Sequence, residues 1–140
     1  MPFSYVIDTK RRLVISTAWG CVTFEEVKAH QNGLLSEPEF NPDFDQFLDA
    51  TRLTTLDLSI DEAKTIARRP LFSRTSRRAW VSANPTIYGM GRLIAAYNEL
   101  SNAASQIALF YDLPSALKWL GLETDFLKND IPTVVDRGGS

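Results

Sequence analysis

A basic segment in the middle of the chain has the side-chain chemistry needed to hold an anion. Its five arginines are Arg68, Arg69, Arg74, Arg77 and Arg78. Planar guanidinium groups suit carboxylates and phosphates, and the segment leads into a predicted strand of the kind whose carboxyl end borders ligand sites in open α/β sheets. We therefore consider an anionic ligand or an acidic partner. The alternative is a solvated cationic face that balances the acidic loop at 37–45.

Aromatic and polar side chains form a second candidate site on the longest predicted helix and on the strand before it. The residues are Trp80, Tyr88, Arg92 and Tyr97. Small-ligand pockets combine apolar walls with a few polar groups, which this set provides. A pocket here would hold an amphiphile or another small ligand. The alternative interpretation is ordinary core packing of an amphipathic helix.

Catalytic and metal-binding chemistry is poorly represented. His30 is the only histidine and Cys21 the only cysteine, so a structural zinc site and an intramolecular disulfide are not expected. We interpret Cys21 as a small core residue, and His30 as an exposed or structurally satisfied helix residue rather than part of a nucleophilic triad. The glycines at 89 and 91 fall inside a helix instead of opening one, so they do not form a phosphate loop. We expect no enzyme, no metal and no cofactor.

Alternating and helical patterns place these residues in an α/β fold. Strands are predicted at 3–7, 13–19, 46–50, 78–82 and 107–111, with Gly20 ending the second one. The short connection after the first strand favours an antiparallel hairpin. Four helices should follow the later strands, the first beginning at Phe24 after Thr23 and the others at or next to Ser59, Asn84 and Asp112. Thr23 and Ser59 each precede a glutamate by three residues, which is the pattern of a capping box. The order predicts parallel βα units after the hairpin.

Length and composition favour one globular domain. The chain has 140 residues, of which 44% are hydrophobic and 23% charged, with a net charge of −2. We expect a single domain over 1–121 and a C-terminal arm over 122–140 that is partly mobile or packs on a neighbouring subunit. A membrane span is not expected, and the cytoplasm is the expected location. Nucleic acid is not an expected partner, because the chain is acidic and its arginines lack interleaved aromatics.

One stretch of sequence, FLDATRL at 47–53 followed by DLS at 57–59, resembles the STAS family of sulphate-transporter and anti-sigma-factor-antagonist domains. The order of elements over about 3–121 is similar to the SpoIIAA-like branch of that family. This resemblance implies a five-stranded mixed sheet with four helices. It also implies that Ser59, after Asp57, occupies the position of a regulatory phosphoserine, although Leu58 and Ile60 replace the family's serine and glycine there. The alternative is that Ser59 is only a helix cap.

Two functions from different classes remain open at this point. The first is a non-catalytic regulatory or protein-interaction module of the STAS type, which we expect to form a homodimer. The second is a carrier that binds a small amphiphile or anion in a pocket near the long third helix. The two differ in whether the arginines and aromatic residues converge on one cavity.

Overall fold

The computed structural model describes residues 2–101 and 105–123. The strands are β1 (Phe3–Asp8), β2 (Leu13–Thr23), β3 (Asp45–Asp57), β4 (Arg77–Val81) and β5 (Gln106–Phe110), and the helices are α1 (Phe24–Ser36), α2 (Ile60–Arg68), α3 (Pro85–Glu99) and α4 (Leu113–Trp119). The predicted order of elements is confirmed. The proposed C-terminal arm lies outside the described residues beyond Glu123, so it stays a prediction together with the domain boundary at 121.

The strands of the described chain form one mixed sheet in the order β1-β2-β3-β4-β5. β1 and β2 are antiparallel, and each later neighbour pairs in parallel. Each parallel pair is joined through a helix, which is the connection that parallel pairing requires. The predicted α/β class, with an N-terminal hairpin followed by βα units, is therefore confirmed.

β2 and β3 extend further than their sequence patterns predicted. Gly20 does not end β2. It has a φ of 65° inside the strand, beside a register shift against β3 between Gly20 and Cys21. Pairing resumes with Cys21 opposite Thr55 and continues to Asp57. The predictions of a break at Gly20 and of a strand limited to 46–50 are wrong, because a bulge absorbs the glycine and the ladder keeps the threonine-rich segment extended.

The two faces of the sheet are covered differently. On one face, Leu13, Ile15 and Phe47 pack against Ala116 and Leu117 of α4. Helices α1, α2 and α3 cover the opposite face, where the side chains of the alternate strand residues point. On this second face, the three helices leave a cavity between themselves and the sheet.

Helix starts follow local sequence signals. Thr23 and Ser59 cap α1 and α2 through the two predicted capping boxes, and Asp112 accepts a hydrogen bond from the Ser115 amide at the start of α4. In α3, a methyl group in place of the Gly91 hydrogen would lie 2.7 Å from Cδ1 of Leu109. Gly91 therefore allows α3 to lie close to β5 at the cavity wall.

Candidate functional site

Polar side chains occupy the sheet face beneath α1–α3. The strand register places Arg78 of β4 beside Gln46 of β3, and Trp80 beside Leu48. Ser16 of β2 pairs with the same Leu48. Residues at paired positions, and residues two apart on one strand, share a face of the sheet. Four polar or amphipathic side chains therefore lie together under the helices, where apolar residues would be expected.

A cavity of about 100 Å³ separates this face from the helices and is partly open to solvent. Its walls come from all five strands or the segments beside them and from α1, α2 and α3. Most of the lining is aliphatic. The aliphatic residues of the sheet that line it include Leu48, Ala50, Leu53, Leu56, Ile107 and Leu109. The lining follows β3 from Gln46 to Leu56, and it also crosses the sheet from Phe3 of β1 to Leu109 of β5.

A chain of hydrogen bonds connects the polar side chains at one end of the cavity. Oε1 of Gln46 accepts from Nε of Arg78 and from Nε1 of Trp80, each at 3.0 Å. Both partners are obligate donors, so this determines the orientation of the amide. Nε2 of Gln46 consequently faces Ser16 and donates to its Oγ at 3.3 Å. Oγ of Ser16 lies 3.2 Å from Nε2 of His30.

The hydrogen-bond chain assigns the tautomer of His30. Gln46 donates to Oγ of Ser16, and Nε2 of His30 is the one acceptor that the hydroxyl proton of Ser16 meets among the described residues, so we assign the proton of the neutral imidazole to Nδ1. Nδ1 is buried and has no hydrogen-bond partner among the described residues. Burial, with a smaller contribution from the nearby Arg78 charge, lowers the pKa of His30 from 6.5 to about 3. The ring is therefore neutral at physiological pH.

Arg78 brings a positive charge to the same wall. Its Cζ lies 4.3 Å from the ring centroid of Phe72 and 5.2 Å from that of Trp80. Nη1 also donates a long 3.4 Å hydrogen bond to Oγ of Ser105. Within the described chain, no carboxylate forms an ion pair with this guanidinium. Burial lowers the pKa of Arg78 from its ordinary value to about 9, so the group stays a cation at neutral pH with little charge compensation.

The cavity has a polar end and an apolar end. Its polar lining groups near the amino ends of β3 and β4 are His30, Gln31, Gln46, Arg78 and Asn98, and no aspartate or glutamate of the described ranges 2–101 and 105–123 lines it. Toward the carboxyl ends of the strands the lining is apolar apart from Ser82. This arrangement can accommodate a molecule with an apolar body and one negatively charged or hydrogen-bond-accepting group.

The other predicted arginines do not converge on the cavity. Arg77 points to the opposite sheet face, where it donates to the carbonyl oxygens of Trp119 and Leu120. Nη1 of Arg69 donates to Oε1 of Gln31 at 2.9 Å. Arg69 thus contacts a lining residue without lining the cavity itself. The remaining two, Arg68 and Arg74, are exposed. Alternation along β4 explains why neighbouring arginines reach different surroundings.

The predicted aromatic pocket divides in the same way. Trp80 lines the cavity. Tyr88 stacks on Tyr111 with ring centroids 4.1 Å apart and is not a lining residue. Tyr97 lies under Nζ of Lys64, 5.3 Å from its ring centroid, on the surface side of α3. Arg92 is exposed. The cavity thus lies under the face of α3 that carries Ile87, Gly91 and Ile94. Apart from Ser82, its polar lining groups come from α1, β3, β4 and the end of α3.

Ser59 and Asp57 lie at the exposed start of α2. Oγ of Ser59 accepts from the Glu62 amide at 3.1 Å, and the Glu62 carboxylate accepts from the Ser59 amide at 2.9 Å. Ile60, the next residue, is 59% exposed. The cap is thus observed, whereas phosphorylation stays a prediction. The interpretation of Cys21 as a core residue is wrong, because Cys21 is exposed beside the register shift in β2.

Sequence reasoning missed the contribution of Ser16, Gln46 and Asn98 and treated His30 as a structural residue. Ser16 and Gln46 are buried, but their neighbours Thr17 and Asp45 are polar too, so the sequence pattern does not distinguish them. The described residues contain no cluster of histidine, cysteine, aspartate or glutamate suited to a metal ion. None of their helices is long and apolar enough to cross a bilayer.

Comparison with known proteins identifies the fold. No protein-family model matches the chain, and no curated protein gives a significant match. A crystal structure from Shewanella loihica PV-4, of an uncharacterized protein from the DUF3478 family with a SpoIIAA-like fold, is similar with a TM-score of 0.54. The chain has a SpoIIAA-like fold. The sequences are 19% identical, and the similarity covers 84% of this chain and 93% of the other. The resemblance inferred from sequence is confirmed at the level of fold, and this SpoIIAA-like neighbour indicates no enzymatic family.

Proposed function

We propose that this SpoIIAA-like domain is a non-catalytic carrier or sensor that binds a small amphiphilic molecule in the cavity beneath α1–α3. One observation carries the proposal: a mostly aliphatic cavity of about 100 Å³ ends in a buried group of polar side chains. Cavities that serve only packing are smaller and uniformly apolar, since buried polar groups need partners. The polar end would orient a ligand, and the aliphatic walls would supply binding energy by burying its hydrocarbon part.

A cavity-filling substitution tests this proposal with a matched control. Ala67 of α2 is 6% exposed and lines the cavity, so Ala67→Leu should occupy part of the space. Ala96 is an exposed residue of α3, and Ala96→Leu makes the same change outside the cavity. We expect 1-hexanol to cause saturable amide shifts at lining residues such as Leu48 and Gly91, in the wild type and in Ala96→Leu.

The expected result for Ala67→Leu is loss of those shifts with the fold retained. A wild-type protein that shows no saturable shifts along the cavity would contradict the proposal. Native mass spectrometry of the full chain purified from its host provides a second readout, because a carrier should retain added mass in the wild type and lose it in Ala67→Leu.

A second candidate function is a regulatory interaction module switched at Ser59. Supporting it are the exposed hydroxyl of Ser59 and the exposed apolar side chain of Ile60 beside it. Phosphate on Ser59 would lie at the positive end of α2, where anions are stabilised. Phosphate-affinity electrophoresis of protein from its host should then reveal a modified form that Ser59→Ala abolishes. A single unmodified band under all growth conditions would rule against this switch.

A further inference from the structure

The polar end of the cavity presents hydrogen-bond donors without matching acceptors. Nδ1–H of His30 is buried and has no partner among the described residues. Nη2 of Arg78 makes no hydrogen bond within the same set, and Nη1 has only the long contact to Ser105. The acceptor that serves both Arg78 and Trp80, Oε1 of Gln46, is already saturated. A bound hydrogen-bond acceptor at this end would satisfy these donors.

Charge favours an anion over a neutral acceptor. Among the described residues that line the cavity, Arg78 is the only ionised group, and none of them is an aspartate or a glutamate. Partly buried cations are ordinarily compensated by a carboxylate, because removal from water is costly. The stacking on Phe72 and Trp80 compensates part of this charge. A ligand with a single negative charge would neutralise the remainder, whereas a dianion would leave an excess buried charge of the opposite sign.

The cavity volume limits the size of the ligand's hydrocarbon part. A cavity of about 150 Å³ holds benzene in an engineered protein, and the space here is about 100 Å³. The buried body should therefore contain roughly four to six carbon atoms. The mostly aliphatic lining suits a hydrocarbon body of this size.

From these observations we infer that Arg78 and His30 form an anion subsite, and that the ligand is a short aliphatic monocarboxylate whose carboxylate accepts from Arg78 and from Nδ1–H of His30. The inference rests on the proposed binding function and specifies its ligand class. The free edge of the Arg78 guanidinium can hold a carboxylate with two parallel hydrogen bonds. The hydrocarbon chain then extends along β3 toward Leu53.

Calorimetric titration with three probes of equal chain length tests the subsite at pH 7.5. The probes are hexanoate, 1-hexanol and hexylamine. We expect wild-type protein to bind hexanoate about tenfold to a hundredfold more tightly than 1-hexanol, since a charge-assisted hydrogen bond contributes that much. Hexylamine should bind more weakly than either. Equal affinity for hexanoate and 1-hexanol would overturn the subsite and leave the binding function intact, whereas absence of binding of all three would overturn both.

Two substitutions and one spectroscopic signal test whether the preference for hexanoate arises at Arg78 and His30. Arg78→Met should reduce hexanoate affinity by about tenfold to a hundredfold and change 1-hexanol affinity less than about threefold. Arg68→Met removes the same charge from an exposed position and should change neither. His30 is the only histidine, so its Nδ1 signal is unique in a nitrogen-15 spectrum. Hexanoate, and not 1-hexanol, should shift that signal in the wild type; an unmoved signal would contradict the contact without any substitution.

Discussion

The strongest prediction concerns the acid sensitivity that buried His30 gives to the fold. Its pKa is lowered to about 3 in the native state, against 6.5 for an exposed histidine, mainly by burial. Between these two values the unfolded chain binds a proton that the native protein does not bind. Stability from this group is therefore complete above pH 6.5 and is lost as the pH falls toward 3.

The magnitude follows from the same two values. Each pH unit below 6.5 costs about 1.4 kcal/mol until the native pKa is approached. At pH 5 the loss is therefore about 2 kcal/mol, and at pH 4 about 3 kcal/mol. Such losses are large beside a typical total stability of about 5–15 kcal/mol.

His30→Gln removes the titration and keeps a neutral polar side chain. Urea unfolding of wild type and variant between pH 8 and pH 5 measures the difference, because His30 is the only histidine and the carboxylates titrate mostly at lower pH. At pH 8 the variant should have a lower free energy of unfolding than the wild type, and this deficit gives the cost of altered packing against Phe3. The ring centroids of Phe3 and His30 are 4.0 Å apart in the stacked wild-type pair. We expect this deficit to shrink by about 2 kcal/mol on moving to pH 5. Parallel stability curves over that range would refute the assignment of a buried neutral imidazole.

Two further predictions concern helices around the cavity. Gly89→Ala should stabilise the protein by about 0.5–1 kcal/mol because nothing lies within 4 Å of the added methyl group. Gly91→Ala should stabilise the protein less than Gly89→Ala or should destabilise it, since its methyl group would press on Leu109 at 2.7 Å. Thermal unfolding of both variants measures this contrast, and equal gains in stability would disprove the close approach of α3 to β5. Ser59→Ala should lower the free energy of unfolding by about 1 kcal/mol through loss of the capping bond to the Glu62 amide, measured by urea denaturation; an unchanged midpoint would indicate that this cap contributes nothing.

Elements whose signals are local were predicted well. The capping boxes at Thr23 and Ser59 depend on residues only three positions apart, so the sequence displays both partners of each box. The hairpin of β1 and β2 and the start of α4 at Asp112 are equally local. Strand ends were predicted less well. The extension of β3 beyond Ala50 depends on hydrogen bonds to β2, and those partners lie more than thirty positions away in the chain.

The candidate site shows the same division. Arg78 and Trp80 were singled out from sequence as an arginine that could bind an anion and as a pocket aromatic, and both line the cavity. Arg77 carries the same chemistry and lies on the opposite face, because consecutive strand residues alternate. Gln46 joins the two lining residues through one carbonyl oxygen. Nothing in the residues around Gln46 indicates that connection.

By itself, the sequence determined the order of strands and helices, where the helices begin and the α/β class, because these follow from residues close together in the chain. Tertiary structure alone decided which of five arginines faces a cavity, and it left His30 with a buried donor that has no acceptor among the described residues. The physical reason is that charge compensation and hydrogen-bond saturation depend on every group within a few ångströms. In this fold those groups come from β2, β3, β4 and α1, which only the register of the sheet brings together.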